Sequence, residues 1–170
     1  MQSNFNFGGP ILADTTYIDG IRIQRNVKFS LPTFTMVTAE IQAMGKHEKP
    51  LRGYFEAAEH KLYFDRLDDS VAIAFEPKRS TVEHRWVQVE ISPDGTEKDI
   101  PYKAFVTGEP KVAFPGGDQE PGNVPEFECP WSVDSLKIYR EGKEFFVIER
   151  YNDAYRVNGK DYYRDIDQYL

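Results

Sequence analysis

The C-terminal stretch "LKIYREGKEFFVIERYNDAYRVNGKDYYRDIDQYL" (residues 136–170) carries the pattern that decides the fold. Two turn dipeptides, Glu141-Gly142 and Asn158-Gly159, interrupt runs that are rich in aromatic and β-branched residues. Runs of this kind on both sides of a tight turn are typical of paired antiparallel strands. The pattern therefore predicts that residues 131–140 and 143–151 pair around Glu141-Gly142.

The chain after Asn158-Gly159 has a different pattern. Residues 160–170, "KDYYRDIDQYL", would place Tyr162, Ile166 and Tyr169 on one side of a short helix. A glycine in the turn tolerates positive φ, so the chain can leave its last strand sharply. We therefore predict a C-terminal tail whose aromatic strip needs a partner.

Turn residues and alternating side chains predict strands through most of the remaining chain. In the first half of the chain, the predicted segments are an extended arm over 1–16, a hairpin around Asp19-Gly20, and long strands over 27–44 and 51–64 joined by the turn 45–50. A helix is predicted near 68–76, with Asp68 or Asp69 as its N-cap. Strands over 81–92 and 99–114 then flank the turn 92–98, and an irregular loop follows over 115–130. The fold class is therefore mainly β, a sandwich or barrel subunit with a long hairpin and one or two short helices.

The composition limits the classes of function. A length of 170 residues suits one domain. A formal net charge of −7 disfavours tight binding to nucleic-acid phosphates, which needs clustered Lys and Arg. Cys129 is the single cysteine, so an intrachain disulfide is impossible. Without an apolar run of roughly 18 to 20 residues or a signal-peptide pattern, we expect a soluble protein with no membrane anchor.

The residues that most often carry chemistry show no catalytic pattern. His47 stands in "KHEK", without the second histidine that an HExxH zinc site needs. His60 and His84 lie between charged residues, and we expect their side chains on the surface. Cys129 has no basic neighbour in sequence that would lower the pKa of its thiol. The sequence therefore predicts no enzyme, no cofactor and no metal site.

The long hairpin, the N-terminal arm and the aromatic tail all need partners. Strands that extend beyond a small core expose unpaired edges, and strand addition between identical chains satisfies such edges. A monomeric carbohydrate-binding β-sandwich, with Trp86 or Trp131 stacked on a sugar, stays open as an alternative.

Three segments carry a resemblance to a known family. The first is "YIDGIRIQRNVKFSLPTF" (residues 17–34), and the second is the hairpin "AEIQAMGKHEKPLRGYFEAAEHKLYF" (residues 39–64). The third is the ending, where a strand, a turn like "DGKE", a strand and "VNGxD" precede a short tail. Its matching positions are Gly142, Lys143, Glu144, Val157, Asn158, Gly159 and Asp161. In this order, over residues 15–170, the chain resembles the major tail tube proteins of contractile-tailed bacteriophages, which phage-tail-like bacteriocins share.

The resemblance implies a homo-hexamer that stacks into a hollow tube inside a contractile sheath. Strands from all subunits of a ring would close one ring-wide β-barrel around the lumen. DNA would pass through that lumen into the host bacterium without specific binding. The implied partners are further copies of the chain and the tail sheath, baseplate and tail terminator proteins. The implied location is the virion tail, after synthesis in the host cytoplasm. A tube of a bacteriocin or of a type VI-like secretion system is the alternative within the same architecture.

The resemblance also implies where the contacts lie. It divides the chain into an arm (1–16), a tube β domain (17–159) and an interaction tail (160–170). Of the long strands, we expect Thr33, Thr35 and Val37 to face the subunit core. The residues expected to face the lumen are Glu40, Gln42 and Glu56. Those expected at the ring-stacking interface are Met44, Gly45, Lys46, His47, Glu48, Lys49 and Arg52. Those expected in the subunit-interface tail are Tyr162, Tyr163, Ile166 and Tyr169.

Overall fold

The computed structural model describes residues 5–163, 166 and 168–170. Strands account for 59% of it, which confirms the mainly β class. The strands are β1 (Phe7–Ile18), β2 (Ile21–Arg25), β3 (Phe29–Ser30), β4 (Met36–Gln42), β5 (Lys46–Phe55), β6 (Ala58–Phe64), β7 (Ser80–Ile91), β8 (Glu97–Pro110), β9 (Phe127–Arg140), β10 (Lys143–Glu149), β11 (Ala154–Val157) and β12 (Lys160–Asp161). One helix, α1 (Asp69–Ala72), continues into a 3-10 turn over Ile73–Phe75.

The main sheet has ten strands and branches at β9. Its path runs β12-β11-β10-β9-β8-β7-β1-β2, and β6 pairs with both β9 and β3. Along one edge of β9, the first half pairs with β6 and the second half pairs with β10. The branch allows the sheet to fold over itself as in a sandwich, and no closed barrel forms within the part of the chain that the structure describes.

Strand pairing confirms the turn-based predictions. β1 and β2 pair around Asp19-Gly20, whose φ angles of 48° and 82° are those of a tight hairpin turn. β7 pairs with β8 across the turn 92–98, and β9 pairs with β10 across Glu141-Gly142. The N-cap prediction is also confirmed, because the Asp68 carboxylate accepts a hydrogen bond from the Val71 N–H.

The segment predicted as an arm contains most of β1. This strand pairs with β7 from Phe7 opposite Ile91 to Ile18 opposite Val82. Residues 1–4 lie outside the described residues. The segment is therefore extended, and from Phe7 onward it is a strand of the main sheet.

The prediction of two long strands over 27–44 and 51–64 is wrong. The chain leaves the sheet after Ser30 and regains strand geometry only at Met36, because Pro32 has no N–H and restricts the residue before it. On the return, β5 ends at Phe55 and β6 begins at Ala58 in the main sheet. The hairpin is therefore the shorter β4–β5 ribbon.

The expected core face of this segment is also wrong. Thr33, Thr35 and Val37 are exposed. Phe34 and Met36, on the other side of the chain, are half-buried, and Phe34 packs against the hydrophobic core. Burial of an aromatic ring gains more than burial of a threonine, so the larger apolar side chain decides which side faces inward.

The core lies between the β3–β6 branch and the β1–β7 part of the sheet. Its largest fully buried apolar side chains are Trp131, Phe64, Ile18, Leu62, Ile100 and Val71. Helix α1 contributes Val71 and so closes one side of the core.

The prediction that His60 and His84 lie on the surface is wrong, since both side chains are fully buried. His60 Nε2 lies 2.8 Å from His84 Nε2, which joins β6 to β7 across the core. The charged neighbours Glu59 and Lys61 led to the prediction of a surface position for His60. Their side chains point to the opposite face of β6 from the His60 side chain, because successive strand residues point to opposite faces.

The hydrogen bonds fix the tautomers of both rings. Ser30 O can only accept, so His60 Nδ1 carries the hydrogen and donates to it over 2.6 Å. His60 Nε2 then accepts from His84 Nε2–H, and His84 Nδ1 accepts from the Thr16 hydroxyl over 2.9 Å. All four ring nitrogens are therefore paired while both rings are neutral. A further proton would place a positive charge in the core, which burial away from water disfavours.

This network predicts loss of stability in mild acid. Burial lowers the pKa of His60 to about 4 and holds the pKa of His84 well below its usual value, whereas an unfolded histidine titrates near 6.5. Between about pH 6.5 and pH 4 the unfolded chain binds protons that the folded chain does not. The free energy of unfolding should therefore fall as the pH falls through this window, by about 3 kcal/mol from His60 alone.

Urea unfolding above and below this window checks the prediction. We expect the double variant His60→Gln with His84→Gln to be less stable at neutral pH and to lose most of the acid sensitivity. His47→Gln is the control, because His47 is exposed and should leave the pH dependence unchanged. Full acid sensitivity in the double variant would assign the effect to other groups.

Candidate assembly surfaces

The β4–β5 ribbon is a two-stranded sheet of its own. Every residue of β4 after Met36 is exposed. An isolated ribbon of two strands is at best marginally stable in water. Its two outer edges have no strand partner among the described residues, so they offer backbone donors and acceptors to another chain.

The two faces of the ribbon differ in polarity. One face carries the cross-strand pairs Glu40–Glu48 and Gln42–Lys46. The other face carries Val37, which is 37% exposed, and Ile41, which is 42% exposed, together with His47 and Lys49, the partners of Ile41 and Ala39. An amphipathic ribbon of this kind is suited to face water on one side and protein on the other.

All seven residues predicted for ring stacking lie on this ribbon, six of them at or near its tip and Arg52 in the half near its base. Met44 and Gly45 form the turn with φ of 52° and 115°, and Met44 is fully exposed. Positive φ and full exposure both favour Gly, Asn or Asp over a long apolar side chain. A methionine here is unfavourable for the free subunit, which points to a contact outside it.

The structure brings together two of the three predicted lumen residues. The Gln42 side-chain amide donates to Glu40 Oε1 over 3.3 Å. Glu56 lies beyond the end of β5, at the base of the ribbon, where its N–H donates to Thr35 O over 2.8 Å. Glu48, rather than Glu56, is the carboxylate opposite Glu40.

Arg150 anchors the base of the ribbon to the main sheet. Its guanidinium donates to Phe55 O and to Glu56 O, and it lies 5.6 Å from the centroid of the Phe34 ring. These groups come from three separate parts of the chain, so no local motif in the sequence marks Arg150.

Aromatic contacts connect the ribbon base to the C-terminal tail. Phe55 packs edge-on against Phe34 and Tyr155 at centroid distances of 5.7 and 5.3 Å, and Tyr155 lies 5.8 Å from Tyr162. The Tyr163 ring packs directly over Gly53, which has φ of 86°. The tail therefore contacts the ribbon of its own subunit.

The four predicted tail residues have different surroundings. Tyr162, Tyr163 and Ile166 are half-buried, whereas Tyr169 is 83% exposed. Lys160 and Asp161 form β12 against β11. The predicted tail helix includes residues 164, 165 and 167, which lie outside the described residues.

Other candidate sites from the sequence gain little from the structure. Trp131 is 1% exposed, which removes it as a sugar platform, and Trp86 stacks on Tyr102 at 5.2 Å. Cys129 is buried, which raises the pKa of its thiol to about 11. Across residues 5–163, 166 and 168–170, no three His, Cys, Asp or Glu side chains are grouped to hold a metal ion. No helix in the same residues is long and apolar enough to cross a membrane.

A mainly β subunit with an uncovered amphipathic ribbon has the form of a protein that completes its packing by assembling with other chains. The family model for phage tail tube protein FII matches residues 11–170. The chain therefore belongs to this family of tail tube proteins, which are structural and not enzymatic. Comparison with curated proteins gives no match.

Replacing Gly53 with alanine tests the contact between tail and ribbon. A methyl group at Gly53 would overlap the Tyr163 ring, whereas Gly95 has the same φ of 86° and nothing within 4 Å. Both changes carry a backbone cost of about 1 kcal/mol. We expect Gly53→Ala to cost about 1–3 kcal/mol more than Gly95→Ala, because the ring must move.

Chemical denaturation of both variants measures this difference. When Tyr163→Ala is added to Gly53→Ala, most of the extra destabilisation relative to Gly95→Ala should disappear, because the methyl group no longer overlaps the ring. Equal destabilisation by Gly53→Ala and Gly95→Ala would show that Tyr163 does not pack there.

Proposed function

We propose that this chain is the inner tube subunit of a contractile phage tail, in which hexameric rings stack into a rigid conduit for DNA delivery. Membership of the tail tube family makes it a structural component of a phage tail. The uncovered amphipathic β4–β5 ribbon is the single observation that carries the proposal beyond the family. The assembly partners are further copies of the chain, with sheath, baseplate and tail terminator proteins around and at the ends of the tube.

The ribbon supports closure of a ring-wide barrel. Each ribbon has two unpaired edges, and lateral pairing with the ribbons of neighbouring subunits would satisfy both at once. Closure leaves no edge, which limits lateral growth, so further addition occurs only along the axis.

The faces of the ribbon support the lumen assignment. The face with Glu40, Gln42 and Glu48 suits a water-filled channel, and the face with Val37 and Ile41 suits contact with the subunit bodies. Glu40 and Glu48 lie directly opposite each other, an arrangement that disfavours the free ribbon. In a channel wall, these carboxylates would repel phosphates and so oppose adsorption of DNA. Lys46 on the same face lies 3.8 Å from Glu40 and offsets part of their charge.

The acidic character proposed for the channel wall belongs to one face of the ribbon and not to the ribbon as a whole. The segment 36–56 contains three acidic residues (Glu40, Glu48, Glu56) and three basic residues (Lys46, Lys49, Arg52), so its formal charge is zero. The net charge of −7 therefore resides in the rest of the chain. Repulsion of DNA in the lumen depends on which side chains face it and not on the total charge.

Electron microscopy of the concentrated protein tests the proposal. Hollow tubes built from six-fold rings are expected, with Glu40 and Gln42 lining the channel. A protein that stays near 20 kDa in sedimentation at every concentration would contradict it. A channel lined by Val37 and Ile41 would contradict only the assignment of faces.

Reversal of the tip charges tests ring stacking. Lys46→Glu with Lys49→Glu should leave the subunit folded and shorten or abolish tubes, because charged contacts at the tip set the register between rings. Lys98→Glu with Lys143→Glu makes the same change in net charge away from the ribbon and should leave tube length unchanged. Normal tubes from the tip variant would remove the tip from the stacking interface.

Two truncations separate the roles of the tail. Removal of 160–170 deletes β12, Tyr162 and Tyr163, and should lower the melting temperature because their contacts with β11 and the ribbon base are lost. Removal of only 164–170, which includes the exposed Tyr169, should leave the melting temperature near that of the intact chain and impair assembly. Tubes from the shorter truncation at normal yield would show that the end of the tail is not an interface.

A further inference from the structure

A surface groove is lined by residues of β1, β2, β7 and β8. Trp86 and Tyr102 form part of its lining, stacked at a centroid distance of 5.2 Å and an interplanar angle of 5°. Four cationic side chains surround this pair: Arg22, Arg25, Arg85 and Lys103. In a chain with a net charge of −7, the groove is a local reversal of sign.

Three of these cations have no ion pair with any residue that the structure describes. Arg85 is engaged, because it donates to Glu83 over 2.6 Å and lies over the Tyr17 ring at 4.6 Å. Arg22, Arg25 and Lys103 make no such contact and are exposed. Asp14, the carboxylate in the groove, already accepts a hydrogen bond from the Val27 N–H over 3.1 Å.

The loop between β8 and β9, residues 111–126, has the complementary chemistry. It is a long segment without secondary structure, a length that in compact domains is usually functional. Its centre carries Asp118 and Glu120, and among the described residues the Glu120 carboxylate accepts only from the side-chain amide of Asn123. The loop also exposes two apolar side chains, Phe114 at 68% and Val124 at 80%.

Groove and loop lie far apart on one subunit. The loop leaves the sheet at Pro110, seven residues along β8 from Lys103, which corresponds to about 23 Å of strand. A contact between two different patches of identical subunits is head-to-tail, and such contacts generate a ring when the rotation between subunits closes.

We propose that the groove binds the acidic loop of a neighbouring copy of this chain within the ring. Arg22, Arg25 and Lys103 pair with Asp118 and Glu120 of the neighbour, and the stacked aromatic pair receives its exposed apolar side chains. A second copy is the occupant because the chain itself supplies both the uncompensated cations and the exposed carboxylates. This inference rests on the proposed ring assembly.

Charge exchange between two variants tests the pairing. The groove variant carries Arg22→Glu with Arg25→Glu, and the loop variant carries Asp118→Lys with Glu120→Lys. In each variant alone, the reversed side chains face like charges of the neighbouring copy, so its ring yield in sedimentation should fall by about tenfold or more. In an equimolar mixture, the reversed groove of one meets the reversed loop of the other. When the two variants alternate around a ring with an even number of subunits, every contact pairs opposite charges, and assembly should be restored.

A matched pair of single changes controls for net charge. Lys103→Glu lies in the groove, whereas Lys143→Glu lies at the β9–β10 turn, and both lysines are exposed. Only Lys103→Glu should reduce the ring yield. Melting curves of all variants show whether the subunit remains folded.

The outcomes separate this inference from the proposed function. Normal rings from either double variant alone, or folded variants whose mixture stays monomeric, would overturn the groove–loop contact while intact tubes still form. Binding of double-stranded DNA by the unmodified chain that is kept in the loop variant and lost in the groove variant would assign the groove to phosphates instead and overturn the groove–loop contact. An unmodified chain that forms no rings would overturn both proposals.

Discussion

The constraint on which the subunit depends is that strand edges need hydrogen-bond partners. Within the main sheet, most strand edges have hydrogen-bond partners. β9 pairs along both of its edges, and β1 pairs with β7 along its length. Among the described residues, the β4–β5 ribbon differs in that each of its two strands pairs only with the other and neither joins the main sheet. The subunit therefore consists of a packed body and a ribbon that is tied to it only at the base. In the proposed assembly, this division separates the part that folds on its own from the part that contacts other subunits.

A ribbon attached only at its base needs a firm attachment to point in a defined direction. Arg150 holds two carbonyls at the end of β5, and the aromatic contacts from Phe34 to Tyr162 fill the space beside them. The buried histidine pair acts further inside, where it ties β6 to β7 and fixes Ser30 next to the point where the chain leaves for the ribbon. The direction of the ribbon is thus set by polar bonds within an otherwise apolar core, and such bonds specify geometry more strongly than apolar packing does.

The sequence predicts the turns well and the long-range contacts poorly. Asp19-Gly20 and Glu141-Gly142 identify hairpins because positive φ is a local property of the residues concerned. The alternating pattern of side chains led to a wrong strand prediction over residues 27–44. Pro32 ends the strand pairing there, whereas the alternating pattern continues past the proline. His60 and His84 were misplaced because the charges beside them lie on the other face of the strand. The groove residues could not be grouped from the sequence, because Arg22, Trp86 and Lys103 come from separate strands that only the sheet order brings together.

An acidic subunit that assembles with its own copies must overcome repulsion, because each added copy brings a further net charge of −7. At physiological ionic strength, screening acts over about 8 Å, so distant charges matter less than those at the contact itself. The distribution of unpaired cations fits this requirement. Lys49 and Arg52 lie on the ribbon, and Arg22, Arg25 and Lys103 lie in the groove, each without an ion pair to the described residues. The acidic excess covers the rest of the surface, where it keeps free subunits from aggregating indiscriminately. In the proposed assembly, the unpaired cations of the ribbon and of the groove favour association at these two surfaces of an otherwise acidic chain.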